Sequence, residues 1–189
     1  KNLLEINISK KVVLVTGAGG SIGKELCRQV VLLKPKSIVL FEINEPSLYL
    51  IDQELRNIGI PNLEIFPVLG SIADKERIKL ICNKYFVQTI YHAAAYKHVP
   101  LVESNQSQGV LNNSIGTMRL AEAAISSNVE TFVLISTDKA VRPTNVMGAS
   151  KRVAELVLQA FAKEKHNTCF TMVRFGNVLD SSGSVIPLF

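Results

Sequence analysis

Three adjacent side chains in the second half of the sequence could move protons. Thr137, Asp138 and Lys139 place a hydroxyl, a carboxyl group and an amine side by side at the end of an apolar, β-rich run. A carboxyl group can serve as a general acid, and an amine can serve as a base when its surroundings lower its pKa. Met147 and Lys151 follow four residues apart, so a helix would place them on one face. Singly, Asp138 could cap a turn, Lys139 could be a solvated lysine and Met147 could pack a helix, but together the residues predict a catalytic site.

A glycine-rich segment, TGAGGSIG, follows the first apolar run and precedes a helical pattern. Glycine allows a tight turn and lets backbone amides approach a phosphate, which would rest on the N-terminus of the following helix. A strand before the glycines and a helix after them favour a dinucleotide site over a purely structural turn. The predicted cofactor contacts in this turn are Gly17, Gly19, Gly20, Ser21, Ile22 and Gly23.

Glu42 closes the second apolar run, about 20 residues after the glycines. A carboxylate at this position accepts hydrogen bonds from both ribose hydroxyls and repels a 2′-phosphate, so we expect NAD rather than NADP. Glu45 is close enough in sequence to compete for this role. The other predicted cofactor contacts follow later strands or lie on the next helix, and they are Ser71, Ile72, Ala93, Ala94, Ala95, Ser136 and Lys151.

Five segments together resemble the extended short-chain dehydrogenase/reductases of the polysaccharide-biosynthesis group. They are TGAGGSIG, HAAAYKHVPLVE, NNSIGT, STDKAVRPTNVMGASK and RFGNVLDSSGSVIPLF. Within that group the chain is most similar to the bacterial UDP-N-acetylglucosamine 4,6-dehydratases. Many short-chain dehydrogenases have tyrosine four residues before the lysine, where this chain has Met147. That replacement is itself typical of the larger, often membrane-anchored members of the group.

The resemblance implies an internal redox cycle that uses NAD. C4 of the hexose is oxidised, the C5 proton and the C6 hydroxyl are lost, and the hydride returns to C6, so the net reaction is dehydration. Asp138 would then act as the acid at the leaving oxygen, and Lys139 as the base at C5. Thr137 would hydrogen-bond the C4 oxygen, and Lys151 would anchor the nicotinamide ribose. For the C4 hydroxyl proton two acceptors stay open, Lys139 and a water ordered by Thr137.

The substrate implied by this resemblance is a UDP-N-acetylhexosamine, with UDP-GlcNAc the expected sugar. The residues predicted to contact it are Lys97, Asn177, Ser181 and Ser182. One alternative is a UDP-sugar C4 epimerase, although such enzymes normally need the tyrosine that is missing here. Another is an NAD-binding module without catalytic activity. The scattered basic residues and few aromatics disfavour a nucleic-acid partner.

The elements that must position these residues alternate along the chain. Short apolar runs predict strands at 12–15, 38–41, 63–67, 89–92, 131–136 and 169–175, and helical patterns lie at 22–33, 46–57, 74–85, 109–126 and 147–165. This alternation predicts right-handed crossovers and a doubly wound parallel sheet, a Rossmann-type α/β fold of three layers.

Length and composition limit what else the chain can be. With 189 residues, 47% of them hydrophobic, and a net charge of +5, we expect one folded NAD-binding domain over 1–189 that lacks most of a C-terminal substrate lobe. Cys27, Cys82 and Cys169 lack the spacing of metal ligands, so we expect no metal site and three reduced cysteines in the core. We also expect a homo-oligomer that uses the helices at 109–126 and 147–165. It would be cytoplasmic with no membrane contact in this segment, although its parent protein could be anchored to the inner membrane.

Overall fold

The computed structural model describes residues 3–176 and residue 178. Its strands are β1 (Val12–Thr16), β2 (Ser37–Glu42), β3 (Glu64–Leu69), β4 (Thr89–His92), β5 (Thr131–Thr137) and β6 (Cys169–Phe175). They form one sheet in the order β3-β2-β1-β4-β5-β6, and every neighbouring pair is parallel. This arrangement confirms the predicted Rossmann-type sheet. The strand order reverses between β1 and β4, and ligands of such sheets bind at that switch point.

Eight helices pack on the sheet or close its ends in the described part of the chain. They are α1 (Leu3–Ile8), α2 (Ser21–Leu32), α3 (Glu45–Ile58), α4 (Lys75–Tyr85), α5 (Val99–Ser104), α6 (Gln106–Val110), α7 (Thr117–Ser126) and α8 (Val146–Phe161). A π-helical turn, Leu111–Gly116, joins α6 to α7, and a 3₁₀ turn, Asp138–Ala140, follows β5. The single helix predicted at 109–126 is therefore three segments, and the helix predicted at 147–165 ends at Phe161.

Two apolar layers, one on each face of the sheet, form the core. Residues from α2 and α3 cover one face, and residues from α4, α7 and α8 cover the other. Cys27 and Cys82 lie in these two layers as predicted, and burial raises the pKa of the Cys82 thiol to about 12. The prediction for Cys169 is wrong, because this residue begins the edge strand β6 and is exposed.

The short helix α1 closes the amino ends of the central strands. The Thr89 hydroxyl donates to the Asn7 carbonyl oxygen at 2.7 Å, and the Thr131 hydroxyl lies 3.2 Å from Asn7 Oδ1. Ile8 is buried beneath them. This end of the sheet is thus covered, and the opposite, carboxyl ends of the strands are where the candidate site forms. Among the described residues, the helices lack the combined length and apolar character required to cross a bilayer.

Candidate active site

The glycine turn between β1 and α2 is packed too closely for larger residues. Gly17 has a φ of +65°, and a Cβ built there would come within 2.7 Å of the Ala94 backbone. A Cβ on Gly23 would lie 1.9 Å from the Gly17 carbonyl oxygen. The Gly17 N–H also donates to the Phe41 carbonyl oxygen at 2.8 Å, so the turn is held against the end of β2. These approaches bring α2 close to the switch point of the sheet.

Helix α2 starts directly beside an open cavity. The residue before the helix is Gly20, which provides no side-chain cap. The first turn of a helix has backbone N–H groups without helical partners, and these groups bind anions well. The turn residues from Gly20 to Gly23 line a cavity of about 450 Å³, whose opposite wall includes Lys97. The donors and the space suit the diphosphate of a dinucleotide.

Glu42 joins the glycine turn to the end of β2. Its buried carboxylate accepts hydrogen bonds from the backbone N–H of Gly19 at 2.9 Å, of Ile43 at 2.9 Å and of Asn44 at 3.0 Å. These bonds fix the position of the carboxylate at the edge of the site. A small neighbouring cavity brings several predicted cofactor residues together, and its lining includes Gly17, Glu42, Ser71, Ile72 and Ala94.

A second cavity, of about 390 Å³, lies over the carboxyl ends of β4 and β5. The predicted residues Thr137, Lys139, Met147 and Lys151 all line it. It shares part of its wall with the first cavity, so the two form one groove that runs from the glycine turn to α8. The shared lining residues are Ile22, Ala93, Ala95, Tyr96, Lys97 and His98.

Lys151 presents a buried amine to this second cavity. Its Nζ donates to the Ile135 carbonyl oxygen at 2.8 Å. Burial lowers the pKa of Lys151 to about 8, although the charge of Glu155 opposes the shift. Met147 is buried one turn earlier on α8. A Cβ on Gly148 would lie 2.4 Å from the Lys139 carbonyl oxygen, so α8 begins in close contact with the turn that carries Lys139.

Asp138 is exposed, and its neighbours favour the ionised carboxylate. The Thr137 hydroxyl donates to Asp138 Oδ1 at 2.9 Å, and Lys139 Nζ lies 3.4 Å from the same oxygen. The hydrogen bond from Thr137 and the charge of Lys139 hold the pKa of Asp138 below its ordinary value. An acid must hold a proton before it can donate one. A general-acid role for Asp138 therefore requires surroundings that raise its pKa, such as bound substrate or further covering chain.

The hydroxyl of Ser136, a predicted cofactor contact, donates to the buried carboxylate of Glu155 at 2.7 Å. Glu155 also accepts from Arg174 at 2.8 and 2.6 Å and from Arg152 at 2.9 Å. Burial opposes ionisation, but these hydrogen bonds outweigh it and lower the pKa of Glu155 to about 2. The cluster ties the carboxyl ends of β5 and β6 to α8. Sequence reasoning missed Glu155, although a carboxylate on the apolar face of an amphipathic helix is a detectable signal.

A buried chain of hydrogen bonds joins the glycine turn to the interior of the site. His92 Nδ1 lies 2.7 Å from Thr16 Oγ1, and His92 Nε2 lies 2.8 Å from Thr117 Oγ1. The Thr117 hydroxyl donates to the Asn113 carbonyl oxygen at 2.7 Å, so His92 must donate from Nε2 and accept at Nδ1. Burial, and then the charge of Lys151, keep the pKa of His92 well below its ordinary value. The imidazole is therefore neutral.

Asn113, in the π-helical turn, fixes the loop after β4. Its buried side chain accepts from the Tyr96 N–H at 2.8 Å and donates to the Tyr96 carbonyl oxygen at 2.9 Å. The same amide group donates to Ser150 Oγ on α8 at 3.0 Å. One side chain thus sets the distance between the two walls of the second cavity.

Not every predicted site residue can be placed. Lys97 is exposed and lines both cavities. Asn177, Ser181 and Ser182, the other predicted substrate contacts, lie outside the described residues. Within the described part of the chain, there is no cluster of acidic, histidine and cysteine side chains that could hold a metal ion.

The chain is similar to proteins of polysaccharide biosynthesis. Residues 13–189 match the family described as polysaccharide biosynthesis protein. The chain is 49% identical to the capsular polysaccharide biosynthesis protein CapD of Staphylococcus aureus, over 99% of its own length and 31% of CapD. It is 34% identical to a UDP-N-acetylglucosamine 4,6-dehydratase (inverting) of Campylobacter jejuni, over 96% of this chain and 53% of that protein. A UDP-glucose 4-epimerase of Rickettsia canadensis is 32% identical, over 95% and 52% of the two chains.

Solved structures share the same fold. Pen from Bacillus thuringiensis superposes with a TM-score of 0.87 at 36% identity, over 96% of this chain and 57% of that one. The dTDP-glucose 4,6-dehydratase DesIV from Streptomyces venezuelae, solved with NAD and TYD bound, has a TM-score of 0.72 at 23% identity, over 86% and 55% of the two chains. At 23% identity, the similarity to DesIV shows the fold alone. The chain spans about a third of CapD and about half of the other relatives.

Proposed function

Because the chain belongs to the polysaccharide biosynthesis protein family, we propose that it provides the cofactor-binding and catalytic part of a UDP-N-acetylhexosamine 4,6-dehydratase. UDP-GlcNAc is the expected substrate and a 4-keto-6-deoxy sugar the expected product. One observation supports this most: the predicted catalytic residues Thr137, Lys139 and Lys151 line the same groove as the glycine turn. The dehydratase of Campylobacter jejuni, at 34% identity, supports the same reaction class.

NAD is the proposed cofactor, and residues of the groove and of the small cavity beside Glu42 would each contact one part of it. The uncapped start of α2 would bind the diphosphate, and Glu42 would receive the adenosine ribose. Ser71 and Ile72 line the small cavity beside Glu42, where the adenine would lie. Lys151 would hold the nicotinamide ribose at the far end of the groove. Bound NAD would accept a hydride from the sugar and return it within the same turnover.

The proposed proton transfers belong to the residues at the end of β5. The Thr137 hydroxyl would donate a hydrogen bond to the C4 oxygen as it becomes a carbonyl. Lys139 would take the C5 proton, which is acidified by the neighbouring ketone. Asp138 would protonate the departing C6 hydroxyl, once a covered site raises its pKa. Lys97, which lines the same cavity, would contact the sugar or its diphosphate.

A C4 epimerase is the second candidate function, and the 32% identity to the Rickettsia canadensis epimerase favours it. That reaction also oxidises C4, but the hydride returns to C4 on the opposite face. Met147 weakens this reading, since a thioether cannot exchange the hydroxyl proton that an epimerase must remove and replace.

The products distinguish these candidates. The full-length protein should be incubated with UDP-GlcNAc without added NADH, and the products followed by mass spectrometry and chromatography. A dehydratase forms a UDP-sugar that has lost one water, whereas an epimerase forms UDP-GalNAc with no change in mass. If neither product forms while NAD still binds, the chain is a cofactor-binding module and the proposal is wrong.

A further inference from the structure

Helix α8 offers no proton acceptor at Met147, so a phenol from another element could take that role. The chain has four tyrosines, and all four lie within the described residues. Tyr49 is exposed on α3, Tyr91 is buried in β4, and Tyr85 stacks on a phenylalanine of β3 with ring centroids 4.6 Å apart. Tyr96 lines both cavities of the groove. It is therefore the one tyrosine of the described chain that contacts the candidate site.

The backbone of Tyr96 is bonded to the π-helical turn, which is bonded in turn to α8. Both its N–H and its carbonyl oxygen bond to the Asn113 side chain, at 2.8 and 2.9 Å. Asn113 also donates to Ser150 Oγ at 3.0 Å, and Ser150 Oγ donates to the Met147 carbonyl oxygen at 2.7 Å. A short series of bonds thus connects the loop that carries Tyr96 to the first turn of α8. Tyr96 and Met147 line the same cavity, and these bonds fix the loop that carries Tyr96.

We infer that Tyr96 is the catalytic residue that takes the proton of the C4 hydroxyl. This role rests on the proposed dehydratase function. In the step, the O–H bond at C4 breaks and its proton passes to the phenolate oxygen of Tyr96. The C4–H bond breaks as well, and its electron pair leaves as hydride to the oxidised nicotinamide. The electron pair of the broken O–H bond forms the carbonyl, so a ketone and a neutral phenol result.

This assignment gives each proton its own acceptor. The sugar loses the C4 hydroxyl proton first and the C5 proton afterwards. If Lys139 took both protons, it would have to release the first before it could accept the second. With Tyr96 at C4, the amine of Lys139 is left to act at C5 alone. The phenol can then return its proton to C5 when the hydride reaches C6. The proton held by Lys139 passes to Asp138, whose carboxylate oxygen lies 3.4 Å away, and this restores all three residues for the next turnover.

The test compares Tyr96→Phe with a matched control, Tyr49→Phe, in the full-length protein. Both changes remove one hydroxyl, and the backbone bonds between Tyr96 and Asn113 are kept, so both variants should fold. Titration calorimetry measures the affinities for NAD and UDP-GlcNAc. A single-turnover experiment, with enzyme in excess over UDP-GlcNAc, measures C4 oxidation from the absorbance of reduced nicotinamide. His98→Gln is measured in parallel, because His98 is another base on the same loop that lines the cavity.

We expect Tyr96→Phe to slow C4 oxidation by about 100-fold or more, the usual contribution of a general base. Its affinities for NAD and UDP-GlcNAc should stay within about twofold of wild type, so that kcat falls and KM does not rise. Tyr49→Phe should match wild type. Oxidation by Tyr96→Phe at the wild-type rate, or a loss confined to His98→Gln, would overturn the assignment. If wild type binds NAD but never reduces it with UDP-GlcNAc, the dehydratase proposal itself fails.

Discussion

The carboxylate of Glu155 offers a quantitative test, because its charge is both buried and fully hydrogen-bonded. Its pKa falls from 4.5 to about 2 on folding, and one pKa unit corresponds to about 1.36 kcal/mol. Ionised Glu155 therefore contributes about 3 kcal/mol to the free energy of unfolding at neutral pH. The side chains of Arg152 and Arg174 are 36% and 37% exposed, so solvent screens part of their attraction for Glu155. The lower bound for the contribution of Glu155 to the free energy of unfolding is therefore about 2 kcal/mol.

Glu155→Gln should lower the free energy of unfolding at pH 7 by about 2–3 kcal/mol, measured by urea denaturation. The pH dependence follows from the sign of the shift. As the folded pKa lies below the unfolded value, the contribution is complete above pH 4.5 and is lost as the pH falls toward 2. About 2 kcal/mol of it should be lost between pH 7 and pH 3 in wild type. The difference between wild type and Glu155→Gln should shrink by that amount.

The control is Glu164→Gln, in the exposed turn after α8. Surface substitutions of this kind change stability by less than about 0.5 kcal/mol. If Glu155→Gln were no more destabilising than Glu164→Gln, or if its difference from wild type did not depend on pH, the reasoning about the buried cluster would be refuted.

Three further changes test other parts of the site. Gly23→Ala should abolish NAD binding in titration calorimetry, because its Cβ would lie 1.9 Å from the Gly17 carbonyl oxygen; Gly20→Ala, whose Cβ would meet nothing closer than 3.3 Å, should be milder. Glu42→Ala should weaken NAD binding by about 10-fold and reduce the preference for NAD over NADP. The change removes the acceptor for the ribose hydroxyls and the bond from the Gly19 N–H. Equal affinities in wild type and variant would contradict that role. Lys151 has a pKa of about 8 in the folded protein and an ordinary pKa of 10.5. Between these pH values Lys151 holds its proton in the unfolded chain but not in the folded protein. Its contribution to the free energy of unfolding should therefore rise between pH 8 and 10.5. Urea denaturation of Lys151→Met should lack that rise, and an identical pH dependence in variant and wild type would count against a buried amine.

Regular patterns in the sequence predicted most of the sheet and the long helices. The apolar runs that became β1, β2 and β4 are buried along their whole length, and such runs are typical of parallel sheets. The helices α1 and α5 were missed because each has six residues, fewer than two turns, which is too short for a helical period to repeat. The π-helical turn at Leu111–Gly116 also lacks a local signal. Its residue Asn113 is held by tertiary bonds to Tyr96 and Ser150.

The site was predicted in part for a related physical reason. That Thr137, Lys139 and Lys151 line one cavity could be predicted, because the ends of parallel strands meet at one edge of the sheet. The partners of Glu155 and His92 could not, since Arg174 and Thr117 come from distant parts of the chain. A buried polar residue is visible in a sequence as an exception to an apolar pattern, but its partner is known only once the fold is known. The bond from the Ser136 hydroxyl to Glu155 is one such partnership, and the prediction that Ser136 contacts the cofactor stays a prediction.

The proposed reaction is tested most directly by the fate of the hydrogen at C4. UDP-GlcNAc with deuterium at C4 should be converted by the full-length protein, and the product examined by NMR. Internal hydride return predicts that the deuterium appears in the C6 methyl group of a 4-keto-6-deoxy sugar. Deuterium found at C4 of UDP-GalNAc, or lost to solvent, would contradict the proposed 4,6-dehydration.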